Sequence, residues 1–156
     1  MKCRLIAAGT RLPAWVNEGF GEYQKRLRSP LTLDLVEIPV ATRRAGENPQ
    51  RAIAREGEGM LAAVKPDDYV VALEVEAKAM TTVQLGAWLA ERLRAARPLV
   101  LLIGGPDGLS QACRDRADQA WSLSPLTLPH GLVRVVVAEQ IYRAMSLQAG
   151  HPYHRA

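Results

Sequence analysis

The chain has little cysteine, few aromatic residues and no long apolar run, and each scarcity removes a class of protein. Of its 156 residues only Cys3 and Cys113 are cysteine. They stand far apart, with no Cys-x-x-Cys or Cys/His spacing, which argues against a metal site and a structural bridge and leaves two ordinary thiols. The longest apolar stretches fall well short of the roughly 20 residues a membrane span needs. The N-terminus passes directly into a strand-like pattern rather than a signal peptide, so the expected compartment is the cytoplasm, with no membrane partner. No internal repeat, linker or low-complexity segment is present. No Gly-Lys-Ser ending follows the one glycine-rich loop, which disfavours a nucleotide-binding hydrolase. Aromatic residues make up 5% of the chain, with a single phenylalanine, so recognition by extensive stacking has few side chains to draw on.

With 48% hydrophobic residues the chain is rich enough to bury a core without metal or disulfide staples, and its length predicts one domain over 1–156. The formal charge is +4. Only Lys2, Lys25, Lys65 and Lys78 are lysine; the other basic residues are arginine, which suits bidentate phosphate contacts and stacking on bases. That favours an anionic partner such as nucleic acid. A GC-rich genome would produce the same arginine enrichment, so charge alone leaves both explanations open.

Residues 2–8 alternate like a strand, and Pro13 is placed to open a helix running to about 28, with Trp15, Phe20, Tyr23 and Leu27 on one broad face. Leu31, Leu33 and Leu35 then mark a strand ending near Ile38. Asn48-Pro49 signals a helix start, and the helix should reach about Val64 although Gly57 and Gly59 weaken it. Residues 69–73 and 99–103 read as strands buried on both faces. Between them Thr81 and Gln84 form a capping-box signature for a helix carrying Leu85, Trp88, Leu89 and Leu93. Ser110 caps a short helix through about 118, and 121–124 is strand-like. Residues 132–147 mix valines with helix formers; their length and the stripe Val133, Val137, Ile141, Ala144 and Leu147 decide for helix. Strands alternating with helices predict an α/β fold, a mostly parallel sheet covered on both faces.

In such a sheet ligands collect at the carboxyl ends of the strands. The loop after Leu73, the glycine loop Gly104-Gly105-Pro106-Asp107-Gly108 and the segment Leu123-Ser124-Pro125-Leu126-Thr127-Leu128 are therefore candidates. Glycines after a buried strand allow close approach to a nucleotide, but a plain tight turn fits equally well. The third segment has the apolar and hydroxyl composition of an adenine wall, and also that of a buried crossing that only packs. The tail, with His151, Tyr153, His154 and Arg155, combines a group that exchanges protons near neutral pH, an aromatic ring and a guanidinium; a disordered terminus or a tag scar would have a similar composition. His130 has a comparable claim as a loop residue beside the possible pocket.

These segments, together with Pro13-x-Trp15-Val16, Glu22-Tyr23, Trp121-Ser122, Pro129-His130, Leu132-Val133-Arg134, Glu139-Gln140 and Tyr142-Arg143-Ala144, resemble the ribosomal RNA large subunit methyltransferase H family of the SPOUT superfamily. The likeness runs from end to end. It implies a parallel α/β sheet with a C-terminal trefoil knot, a homodimer, and S-adenosyl-L-methionine held by Leu73, Gly104, Gly105, Leu123, Ser124, Pro125, Leu126, Thr127 and Leu128. It also implies methylation of N3 of a pseudouridine in a hairpin loop of 23S rRNA, with the assembled ribosome as substrate; another RNA such as tRNA, or a non-catalytic ribosome-binding role, are the alternatives. Departures from the family pattern are Glu74-Val75-Glu76-Ala77-Lys78 after Leu73, Asp107 for a more usual glutamate, and Met145 for a common tryptophan. Ala77 replaces a glycine, and alanine reaches positive φ less cheaply.

Within that resemblance His154 is the first candidate for the general base, Tyr153 for stacking on or orienting the target base, and Arg155 for holding phosphate, with His130 and Glu139 in reserve. Arg26, Arg28, Arg43, Arg44 and Arg134 are candidate phosphate contacts.

Overall fold

The computed structural model describes residues 1–154, His154 by its backbone alone. Five strands, β1 (Lys2–Ala8), β2 (Thr32–Ile38), β3 (Tyr69–Leu73), β4 (Leu99–Ile103) and β5 (Gln119–Trp121), alternate with α1 (Ala14–Gln24), α2 (Pro49–Ala62), α3 (Thr82–Ala95) and α4 (Gln111–Arg116). A long helix α5 (His130–Gln148) and a short 3-10 turn, Pro152–His154, complete the order. The sheet runs β2-β1-β4-β3-β5 and every pairing is parallel.

Side-chain alternation along the central strands builds a core on each face. Leu99, Leu101 and Ile103 join Leu5, Phe20, Leu85, Leu89, Val137 and Ile141 on one side; Val100 and Leu102 join Ile6, Met60, Leu109 and Cys113 on the other. The helices divide accordingly: α5 packs against α1 and α3, while α2 packs against α4. The connections β1-α1-β2 and β3-α3-β4 run one way across the sheet and place their helices on one face. The connections through α2 and α4 run the opposite way and place theirs on the other, as a single crossover hand requires.

Local sequence explains the helix starts. The Asn48 side chain accepts from Gln50 N–H at 2.9 Å, Ser110 from Cys113 N–H at 3.2 Å, and Thr81 and Gln84 make both bonds of the capping box. Gly57 does not break α2. It lets α4 approach, because a Cβ there would stand 2.1 Å from Ser110 Oγ.

Several expected boundaries move. Helix α1 stops at Gln24 rather than near 28, because Arg26 N–H turns back to Tyr23 O and Leu27 N–H to Gln24 O in a tighter closing turn ahead of Ser29-Pro30. Trp15 is 54% exposed, and Val16 takes the core position instead, one residue and about 100° around the helix. Helix α4 ends two residues early, since Asp118 N–H is already committed to Val70 O at 2.8 Å as β5 begins. Strand β5 is correspondingly Gln119–Trp121 rather than 121–124; Ser122 leaves the sheet to bridge to Ala79 in the loop after β3. Ala77 lies in a turn closed by its N–H to Glu74 O at 3.2 Å and needs no positive φ, which among non-glycine residues described is found only at Ala96.

Candidate active site

The carboxyl ends of β3, β4 and β5 open into a cleft of about 600 Å³. The loop after β3 is tied to the segment after β5 by Glu74 N–H to Trp121 O at 3.0 Å and Ser122 N–H to Lys78 O at 3.1 Å. Ser122 Oγ adds a bond to Val75 O at 2.9 Å, and Ser124 Oγ accepts from Leu126 N–H at 3.0 Å. Two irregular loops thus satisfy each other's backbone groups beside an apolar opening.

The glycine loop forms the floor. Gly108, at φ +85°, returns its N–H to Gly105 O at 3.0 Å. A Cβ on Gly104 would lie 2.4 Å from the Gly108 carbonyl carbon, so the turn can close only without one. A Cβ on Gly105 would lie 2.8 Å from Glu56 Oε2. Glu56 is buried, its Oε1 accepts from Ala41 N–H at 3.0 Å and from Arg43, and its Oε2 has no partner among the described residues. Arg43 also grips Asp107 of the glycine loop at 2.6 Å.

Every expected cofactor position except Pro125 lines the cleft: Leu73, Gly104, Gly105, Leu123, Ser124, Leu126, Thr127 and Leu128. Glu74, Val75, Trp121, Pro129, His130 and Val133 line it as well. The rule that ligands sit at strand carboxyl ends would have found Trp121, the last residue of β5. Nothing in the sequence marks Glu56 as buried. Glu74 is paired with Arg114 at 2.7 Å. Burial, then the nearby Arg134, pushes the His130 imidazole below its ordinary pKa, with Glu56 opposing.

The described part of the tail does not line the cleft of its own chain. Tyr153 lies on α5, its hydroxyl 3.2 Å from Glu139 Oε1 and its ring 4.7 Å from that of Tyr142. Glu139 is nine residues beyond His130, about 13 Å along the helix axis. Burial foremost, with Tyr23 and Glu139 adding to it, raises the Tyr153 phenol well above its usual value. The side chain of His154 and all of Arg155 lie outside the described residues.

Of the arginines expected to reach phosphate, Arg134 must be withdrawn. It is fully buried and bonded to Glu37 at 2.7 Å and to the carbonyls of Ala8 and Gly9, at 3.0 and 2.7 Å. Arg26 is paired with Glu22 and lies over the rings of Tyr23 and Tyr142. Among the described residues no helix is long and apolar enough to cross a membrane, and no group of three or more metal-type ligands occurs.

A parallel α/β protein with an apolar, glycine-floored cleft at its strand ends has the architecture in which ligands bind at that edge of the sheet. Residues 1–154 match the family described as predicted SPOUT methyltransferase, and the chain belongs to that family and is a methyltransferase. It is 50% identical over 155 residues to the ribosomal RNA large subunit methyltransferase H of Hahella chejuensis, covering 99% of each chain. Against the protein of the same name from Pseudomonas paraeruginosa the identity is 52%, covering 99% of this chain and all of the relative. A crystal structure of a methylase family protein from Neisseria gonorrhoeae superposes with a TM-score of 0.57 at 16% identity, covering 90% of this chain and 81% of that one; it supports the fold alone.

Proposed function

We propose that the protein, acting in the cytoplasm, transfers a methyl group from S-adenosyl-L-methionine to N3 of a pseudouridine in a hairpin loop of 23S rRNA within the assembled ribosome. The observation that carries this reading is the cleft itself. Its volume, about 600 Å³, lies in the range of a cofactor-sized site, and its apolar walls of Leu73, Leu123, Leu126 and Leu128 suit an adenosine. Gly104 and Gly105 bring main chain rather than side chains to its floor. The relatives' shared name supplies the RNA class.

When bound, the cofactor supplies an activated methyl group on a sulfonium. The chain's task is then chiefly alignment. Residues 123–128, with Leu73, would hold the adenosine and exclude water, and the glycine loop would set its depth. Tyr153, His154 and Arg155 are assigned to the target nucleotide, the ring against the base and the charged groups on base and phosphate. Because Tyr153 is anchored to Glu139, away from its own cleft, we assign this task to the tail of the second subunit of a homodimer. The family's C-terminal knot belongs to the same reading.

Incubation with labelled S-adenosyl-L-methionine and intact ribosomes lacking the modification, followed by nuclease mapping and mass spectrometry, tests it. Label on N3 of a pseudouridine in 23S rRNA is the expected result. Label only on another RNA, or cofactor binding without turnover on any RNA, would overturn it.

A further inference from the structure

We propose that His130, at the first position of α5, is the proton acceptor of the methyl transfer, taking the proton from the target nitrogen as that nitrogen attacks the methyl carbon. The proposal rests on reading the cleft as the S-adenosyl-L-methionine and RNA-base site.

Three observations converge on this side chain. First, among the described residues only His130 and Glu74 are ionisable groups lining the cleft, and Glu74 is already committed to Arg114. No hydrogen bond to either ring nitrogen of His130 is made within the described residues. Second, the sheet order sets it apart from the cleft residues at the ends of β3 and β5. A Cβ on Gly9, just after β1, would stand 3.3 Å from His130 Nε2, so the imidazole sits over the end of β1. Leu73 and Trp121 end β3 and β5, on the other side of β4. Two strand spacings, about 10 Å, separate the ends of β1 and β3, which leaves His130 at the β1 end of the cleft, across it from Leu73.

Third, its surroundings favour the neutral form. Arg134, one turn along α5, holds its guanidinium against the same Gly9 position, 3.2 Å from the hypothetical Cβ. The positive end of α5 acts in the same direction. Glu37 of β2 is bonded to Arg134, and Glu56 of α2 pulls the other way. Leu12 and Val16, which approach neighbouring Gly131, are apolar. Burial and Arg134 together keep the imidazole unprotonated at neutral pH, as a base requires.

The step balances with groups already named. The N3–H bond breaks and its proton passes to the imidazole. The nitrogen electron pair forms the bond to the methyl carbon, displacing sulfur with its bonding pair as a neutral thioether. The imidazolium then releases its proton to water.

The test uses the full-length protein with unmodified ribosomes. It compares His130→Gln, His130→Ala and His154→Gln, each checked for folding by circular dichroism and for cofactor affinity by calorimetry. The expected result is a fall in kcat of about 100-fold or more for both His130 variants, loss of the acidic limb of the pH profile, and cofactor affinity little changed. His154→Gln should keep that limb. Retention of the wild-type rate and limb by folded His130→Gln, or transfer of both losses to His154→Gln, would overturn the assignment. A wild-type protein that methylates no RNA would overturn the reading beneath it, a result distinct from a failure of His130 alone. Should the His130 variants not fold, NMR titration of the imidazole C2 proton in the wild-type protein decides. A midpoint below the ordinary histidine value that moves when S-adenosyl-L-methionine is added supports the role; a midpoint at or above that value, or one indifferent to the cofactor, overturns it.

Discussion

Arg134 in the last helix donates to the carbonyl oxygen of Gly9, at the end of the first strand, at 2.7 Å. The same guanidinium reaches Ala8 O and Glu37, so one side chain fastens α5 to the ends of β1 and β2. Replacing it with methionine would leave two buried carbonyls without a donor and Glu37 without its charge partner. We expect Arg134→Met to cost about 3 kcal/mol, which lowers Tm by on the order of 10 °C in a chain of this size. Urea unfolding of the variant checks this. Lysine should rescue little, because a single ammonium cannot match the planar fork.

The two glycines of the cleft floor should fail differently. On Gly104 a methyl group meets main chain at 2.4–2.6 Å on three atoms, which cannot move aside, so Gly104→Ala should destabilise the fold itself. On Gly105 the nearest atom is the Glu56 carboxylate, at 2.8 Å. Gly105→Ala should therefore fold, displace the loop and weaken cofactor binding by about tenfold, or roughly 1.4 kcal/mol. Thermal melting with S-adenosyl-L-methionine calorimetry separates the two outcomes.

Gly57→Ala sets helix propensity against packing. Propensity alone would favour alanine by up to about 1 kcal/mol, but the contact with Ser110 Oγ at 2.1 Å leaves no room. We expect net destabilisation of about 2 kcal/mol, partly relieved in the double variant Gly57→Ala with Ser110→Gly. A double-mutant cycle in denaturant measures the coupling.

Burial raises the Cys3 thiol to about 12 from an ordinary 9.0, with Asp34 adding to the shift and Arg4 opposing it. A buried thiol held protonated while its unfolded counterpart ionises contributes stability that is full below about pH 9 and declines as pH rises toward 12. Stability measured by denaturant should fall across that window in the wild type and fall less in Cys3→Ala. In the native protein, thiol reagents should label neither cysteine at neutral pH, since both are buried.

Tyr153→Phe removes the hydroxyl bonded to Glu139 while keeping the ring against Tyr142. Methyl transfer should fall several-fold, and S-adenosyl-L-methionine affinity should be unchanged because Tyr153 lies along α5, remote from its own cleft. Equal loss of both would place the tail in the cofactor site of its own subunit.

Much of this was legible in the residues. Buried strands β3 and β4 are unbroken apolar runs between turn signals, and their limits match expectation residue for residue. The caps at Asn48, Thr81 and Ser110 are local hydrogen-bond chemistry, visible in three or four residues at a time. What escaped was set by distant parts of the chain. Trp15 and Val16 are equally apolar, and only the direction from which α5 approaches decides which is buried. Arg134 reads as a surface arginine until two carbonyls from the other end of the chain surround it. Glu56 sits in a helix full of charge and becomes a buried carboxylate only where the glycine loop folds over it. The three cleft loops could be named because strand ends are predictable; that Tyr153 lies along α5, away from them, could not.

The position of β4 between β1 and β3 sets a condition on folding. Cys3 pairs with Leu99, and so does Tyr69, so neither half of the sheet can join the other until the chain has been made past Ile103. Before that, β1 and β2 can form only an isolated parallel pair with both edges open, and β3 has no neighbour. Such long-range closure makes for a slow-folding chain, and the apolar surface of β1 and β3 must stay guarded from other chains while the ribosome completes it.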